Sequence, residues 1–408
     1  MKFLILLFIK KCWLKLNYRR LFREYKIVRD LSLVQFIAYF GAWFSNVAIY
    51  TMLVDFGSSE MAISIVTAMH FLPAILIAPF SGAIIDRVKI KPLMITLLAT
   101  ELLMTILFLT IDNKDDIWLL LILIFIRMSA ASMFFSTEMS LLAKLLKGKS
   151  LQTANEIHSI IWSFTYAAGM AVSGFIVNWY GVKVAFVIDA IIFATALIVF
   201  IRIDFVVKAS TATDKIFKLI KDGFFYVKNN KIILHLIFLH SIVGLTSFDA
   251  LITILAKNEY KYVISVPLAI GLSNAVRAVA LMIGPLLISK YVTKENLHYL
   301  MIFQGFAIIL WGFLQKDFYY SLFALFIMGL STTILWSFTY ALLQNKCDEK
   351  YIGRVISYND MVFMLSCVLT TLFIGLMTSL TSLDIITFLL GIAFFAFAFY
   401  YTRILKWI

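Results

Sequence analysis

The chain has 408 residues, of which 62% are hydrophobic and only 14% charged, far from the balance of an ordinary soluble domain. Its net charge of +13 would suggest nucleic acid in a soluble protein, but no stretch outside the tails and loops interleaves basic and aromatic residues. The charge instead fits loops facing anionic lipid.

Three cysteines (Cys12, Cys347, Cys367) make no disulfide framework. The lack of a Walker sequence or Gly-rich phosphate loop argues against an ATP-driven pump. With no metal-ligand spacing and no nucleophile–base constellation, neither a cofactor nor an enzyme is implied.

Residues 1–30 carry nine Lys and Arg. Lys2 and the apolar residues 3–9 imitate a signal peptide, but Lys10 and Lys11 stand where small residues should mark cleavage. Two readings stand: a basic amphipathic segment on the inner leaflet, with Trp13, Leu14 and Phe22 dipping in, or a poorly ordered tail.

A membrane span needs about 20 apolar residues. Twelve runs qualify, at about 31–54, 61–83, 92–111, 117–143, 156–179, 182–203, 232–256, 263–288, 297–315, 319–343, 356–380 and 384–402. They are numbered helix 1 to helix 12 in chain order. Most connections are short. Residues 204–231 are longer and charged (Asp204, Lys208, Asp214, Lys215, Lys218, Lys221, Asp222, Lys228) and divide the chain into six plus six spans. Within them, residues 214–226 can form an amphipathic surface helix.

Of the 36 Lys and Arg, 29 fall on the two tails and the even-numbered loops, and five (Lys114, Lys183, Lys257, Lys261, Lys316) on the opposite side. Cytoplasmic loops retain Lys and Arg, so both termini are expected in the cytoplasm. The expected fold is all-α: a polytopic membrane protein with twelve transmembrane helices in two six-helix bundles. Its parts are a basic segment 1–30, a bundle 31–203, a linker 204–231 and a bundle 232–408 with a short tail.

Polar residues inside the runs are functional candidates, since an ionisable group at bilayer depth costs roughly 2.5–3.5 kcal/mol on insertion scales. In chain order, Asn46 and Tyr50 of helix 1 are four apart and point one way. Helix 2 holds His70 and helix 3 holds Glu101. Arg127 of helix 4 is about 15 Å deep at 1.5 Å per residue, and Glu138, eleven residues on, shares its face. Helix 6 holds Asp189, read as structural. His240 and Asp249 lie on helix 7, and Arg277 on helix 8 at a depth similar to that of Arg127. Trp336 and Tyr340 of helix 10 are again four apart. Such rings suit an amphipathic or cationic ligand, or else simple core packing. His158 and His298 lie near span ends and carry no signal.

Gly82, Asp86, Arg87 and Lys91 after helix 2 resemble the signature loop of the major facilitator superfamily, with Lys89 and Ile90 departing from it. The resemblance covers residues 20–400. Leu72, Pro73 and Pro79, Ala154-Asn155, Asp189-Ala190 with Phe193, residues 221–226, Leu343-Gln344 and Gly353-Arg354-Val355 bring it closer to the branch of macrolide and enterobactin exporters. The resemblance implies a cavity lined by helices 1, 4, 7 and 10, with the helix 4 Arg concerned in proton movement. Arg127 is then the cavity cation and Glu138 its acidic counterpart; a structural ion pair with a neighbouring helix is the competing reading. Asp249 is a further proton candidate.

Asp86 near the start of helix 11, with Arg87, Lys91 and Arg354 beside Gly353, is expected to form an inner gate. Residues 169–174 of helix 5 keep two glycines but lack the Pro of family antiporters, and Ala42 replaces a frequent helix 1 acid. The function expected is secondary active export of a small amphipathic compound in exchange for protons, by a monomer in the inner membrane surrounded by lipid. Alternatives are a siderophore or lipid-like metabolite carrier, as a uniporter, and a non-transporting receptor or scaffold.

Overall fold

A computed structural model describes residues 18–205, 216–348 and 350–408, whose regular structure is helical throughout. Among these residues, twelve helices are long and apolar enough to cross a membrane. They form the expected two bundles of six. Helix 1 spans Lys26–Asp55, helix 2 two segments, Glu60–Ala68 and Leu72–Arg87, helix 3 Ile90–Leu107, helix 4 Ile117–Leu145, helix 5 Gly148–Tyr180 and helix 6 Val182–Ile201. After the linker helix Ile216–Asn229 come helix 7 in two segments, Lys231–His240 and Asp249–Asn258, then helix 8 Val266–Ile288 and helix 9 Leu297–Leu314. Helix 10 spans Phe318–Lys346, helix 11 Ile352–Met377 and helix 12 Leu383–Ile404. An even number of spans returns both chain ends to one side, the terminal face; the other is the far face.

Local chemistry sets the ends. Ser59 accepts a hydrogen bond from the Ala62 N–H at 3.2 Å to open helix 2, and Asp317 one from Tyr320 at 3.0 Å to open helix 10. Gly181 turns the chain between helices 5 and 6 at φ +82°, a backbone angle that side chains disfavour. Helix 7 breaks at mid-depth into a 3-10 stretch, Ser241–Thr246. There the Ser241 and Thr246 hydroxyls donate to the carbonyls of Phe238 and Val243 at 2.7 Å, competing with regular helix.

The N-terminal surface helix Tyr18–Glu24 packs Leu21, 4% exposed, and Phe22 onto the first bundle. Phe22, expected to dip into lipid, is partly buried against that bundle. Trp13 and Leu14 lie outside the described residues. The linker helix belongs with helix 11. Tyr226 stacks on Tyr351 at 4.2 Å, the Tyr358 hydroxyl donates to the Ile220 carbonyl at 2.9 Å, and Gly223 faces the Arg354 side chain.

Buried apolar residues show how the halves meet. One continuous cluster takes residues of both halves, but its first-half members, such as Phe44, Leu53, Ile63, Phe108, Leu123 and Tyr166, lie toward the far face. Toward the terminal face the first half has a separate cluster of its own, from Leu21 to Ile203. Helices 5 and 8 cross where Gly174 meets Gly271. A Cβ on Gly271 would sit 2.6 Å from the Met170 carbonyl oxygen, and one on Gly174 would sit 2.9 Å from that of Pro267. Helices 2 and 11 meet likewise at Ser64 and Gly375. Lys257 then ties the halves at the rim, reaching Glu60 at 2.9 Å and the Ser58 carbonyl at 2.8 Å. The pair is partly solvated (side chains 21% and 31% exposed), so Lys257→Gln is expected to cost about 0–1 kcal/mol in stability. A thermal melt shifted by more than a few degrees would give the pair a larger share in far-face closure.

Candidate functional site between the two halves

Helix 8 places Arg277 twelfth among its 23 residues, at mid-depth. Its side chain is 12% exposed, and its Nη2 donates to the Tyr166 hydroxyl of helix 5 at 3.0 Å. The same hydroxyl donates to Asn274 Oδ1 at 3.3 Å. Asp249, at the first turn after the helix 7 break, stands 3.9 Å from Arg277, a loose pair. Arg277 Nη1 is buried with no hydrogen-bond partner among the described residues. Tyr50 of helix 1 lies within electrostatic reach of Asp249, Tyr166 and Arg277, and its ring touches that of His70 at 5.8 Å. Residues of helices 1, 2, 5, 7 and 8 thus converge from both halves. Asn46, one turn before Tyr50, is half-buried.

Aromatic rings gather in each half. On the first-half side Trp43, Trp162 and Tyr166 stand 4.5–5.6 Å apart. On the second-half side Trp336 stacks on Tyr340 at 4.9 Å, both touching the ring of His240. His240 is buried against Thr339 at 2.8 Å. Tyr166, Trp43 and Trp162 do not stand out in the sequence, since aromatic residues are common throughout the chain, and Asn274 is one polar residue in a mostly apolar run. Trp336 and Tyr340 line the second half and are not drawn into the Arg277 cluster. Asp360 of helix 11, also overlooked, is partly exposed, with Asn359 donating to it at 3.3 Å. It lies within electrostatic reach of Tyr340. A lone acid in that apolar run was its signal.

Arg127 requires a correction. Its partner is Asp189 of helix 6, at 2.9 Å, with side chains 4% and 0% exposed. Eleven residues bring Glu138 back to the face of Arg127 but about 16 Å along the axis, too far for a pair. Ser45 of helix 1 also donates to Asp189, and Arg127 lies over the rings of Phe108 and Phe193 at 5.5 and 5.1 Å. Glu101 of helix 3 is buried within electrostatic reach of the pair. The pair locks helices 1, 4 and 6 inside one half. A Cβ on Gly41 would lie 2.5 Å from Asp189 Oδ1 and 3.1 Å from Phe193. Gly41→Ala is accordingly expected to destabilise the protein by about 1–3 kcal/mol, the usual cost of overpacking, read as a lower melting temperature.

Glu138 sits elsewhere, in a pocket of helices 1, 4 and 5. Tyr39 donates to its Oε2 at 3.4 Å, and His158 Nδ1 approaches it at 3.8 Å. The described members of the expected gate lie as follows. Lys91 pairs with Asp204 at 3.2 Å, because the start of helix 3 abuts the end of helix 6. Arg354 lies over Tyr351 at 5.3 Å and against the linker helix, and Gly353 faces open space. Arg87 is exposed. The side chains of Gly82 and Asp86 lie outside the described residues.

Comparison with known proteins agrees with this architecture. The family model for the Major Facilitator Superfamily matches residues 31–371. An uncharacterized MFS-type transporter, YfiS of Bacillus subtilis (strain 168), is 26% identical over 220 residues, about half of each chain (52% of both). Macrolide efflux protein A of Streptococcus pyogenes is 23% identical over 336 residues, 79% of this chain and 82% of that one. Among solved structures, nucleoside transporter NupG superposes with a TM-score of 0.74 at 12% identity, covering 94% of this chain and 100% of that one. A bacterial homolog of the human lysosomal transporter Spinster, inward-facing and occupied, gives 0.71 at 13% identity over 95% and 97%.

Proposed function

The chain belongs to the Major Facilitator Superfamily, and from that premise we propose that it is a secondary active exporter of a small amphipathic compound, driven by proton exchange. The observation that carries the reading is the Arg277–Tyr166–Asp249 cluster, built at mid-depth from both halves. A charged group held there at a cost of several kcal/mol suits a binding position that each face reaches in turn. The rings of Trp43 and Trp162 beside Tyr166, and of Trp336 and Tyr340 in the second half, suit an apolar body.

The bias of Lys and Arg supports a cytoplasmic terminal face in a cytoplasmic-type membrane. The far-face contacts then make this the inward-facing state. Rocking the halves would part Gly174 from Gly271 and close the terminal face. Arg277, Tyr166, Tyr50 and Asn274 hold the substrate in this reading, and the protein works as a monomer.

Nη1 of Arg277, without a partner among the described residues, favours a second reading, a carrier of an anionic metabolite. One experiment separates the two. Accumulation of a panel of dyes, drugs and carboxylate-bearing metabolites is measured in a pump-deficient host with native protein or Arg277→Ala. Exclusion of a neutral or cationic compound, lost with the variant and with a protonophore, supports the exporter. Selectivity for acidic compounds supports the second reading. No difference for any compound, with the protein in the membrane, overturns broad efflux.

A further inference from the structure

We propose that Glu138 and His158 form a proton-binding site inside the first half, separate from the Arg277 cluster, with the proton held on the Glu138 carboxyl. Glu138 is 2% and His158 6% exposed, so neither has water to stabilise a charge. Among the described residues, His158 is the sole ion-pair partner within 4 Å of Glu138. Of the two basic residues on the same helix, Arg127 is committed to Asp189, and Lys144, six residues past Glu138, is exposed in the last turn. A lone buried carboxylate costs several kcal/mol and normally takes a proton or a cation instead.

The hydrogen bonds around the pair decide between the two possible carriers. Gln35 Nε2 stands 2.8 Å from His158 Nδ1 and 3.2 Å from the His158 carbonyl oxygen, and an amide nitrogen only donates. Nδ1 therefore offers its lone pair to Gln35, and the imidazole is neutral. Its buried Nε2 has no partner among the described residues, which suits a neutral ring better than a charged one. With His158 neutral, the remaining proton belongs on Glu138.

The titratable neighbours are few. Helix 1 contributes Tyr39, helix 5 His158, and helix 3 Glu101, within electrostatic reach of Tyr39. The rings of Phe135 and Tyr39 cover the imidazole at 5.2 and 5.8 Å and keep the pocket apolar. Release of the proton then requires a change in packing that admits water or turns the Gln35 amide, so that His158 can take the proton and pair with the carboxylate. Helix 5 carries His158 and also Gly174 of the crossing with helix 8, so movement of the halves acts on one rigid element that reaches both places.

The transport role of this proton rests on the proton-exchange reading; its binding does not, and is tested without substrate. Infrared difference spectra of the full chain in lipid, recorded between acid and alkaline pH, read protonated carboxyl groups directly. A carboxyl band that titrates in the native protein, vanishes in Glu138→Gln, persists in Asp249→Asn and moves its midpoint in His158→Asn supports the site. A native protein without such a band, or a band unchanged in Glu138→Gln, overturns it. Should Glu138→Gln fail to reach the membrane, Tyr39→Phe removes one hydrogen bond to the carboxyl; a shifted band supports the site and an unshifted one overturns it. A titrating Glu138 band in a protein whose transport ignores the proton gradient supports the site while removing the exchange reading.

Discussion

Thermal melting of Arg127→Met is expected far below that of the native protein, because the substitution leaves Asp189 buried with Ser45 as its remaining donor. Breaking a buried pair from one side costs about 3–5 kcal/mol, since the stranded charge keeps its desolvation penalty. Asp189→Leu strands Arg127 in the same way, between the rings of Phe108 and Phe193. The double variant removes both charges and fills the space with apolar atoms, which is often neutral or stabilising. Each single variant should therefore melt low, and the double should recover most of the loss. The cycle, read by tryptophan fluorescence in lipid nanodiscs, isolates the coupling between the two side chains. Native-like melting of Arg127→Met together with abolished transport would instead give Arg127 the coupling role that its depth in helix 4 suggests.

Much of the fold was legible because the bilayer imposes simple rules. Span length and the sorting of Lys and Arg define twelve helices and their topology from residue type alone. The helix 7 break was not legible. Ser241–Thr246 contains no Pro and lies within a single apolar run. Gly244 presses on Ser366 and Cys367 of helix 11 there, a contact only the assembled fold defines.

Pairings were the least legible feature. Periodicity places Arg127 and Glu138 on one face but says nothing of which neighbouring helix faces them. Asp189 and His158 are 62 and 20 residues away from them in sequence, respectively. His158 carried no signal because the apolar run begins at about residue 156. Helix 5 in fact starts at Gly148, and its polar early turns pack on helix 1 through Gln35. The central cluster was half legible. Asp249 and Arg277 stood out as charges in apolar runs, whereas Tyr166 and Asn274 became meaningful only through their contacts with Arg277 and with each other.

Gly271→Leu is expected to abolish transport while leaving the protein in the membrane, because it obstructs the crossing that closes the far face. A Cβ at 271 already meets the Met170 carbonyl oxygen at 2.6 Å and Gly174 Cα at 3.0 Å, and backbone atoms cannot rotate aside. Helices 5 and 8 belong to different halves, so the strain is relieved by separation of the halves rather than by repacking within one. Overpacking costs about 1–3 kcal/mol, and an equilibrium biased by that amount shifts roughly 5- to 150-fold. Ser64 is fully buried beside Gly375 in the closed far half and reports on the opening. With Cys12, Cys347 and Cys367 replaced by Ser, a Ser64→Cys reporter should resist a membrane-impermeant maleimide in the native background. It should label readily once Gly271→Leu is added. Gly271→Ala, with a smaller intrusion, should fall between the two. Equal labelling in all three would mean that the helix 5–helix 8 crossing does not set far-face access, and closure would then rest on the Ser64–Gly375 contact and the Lys257–Glu60 tie.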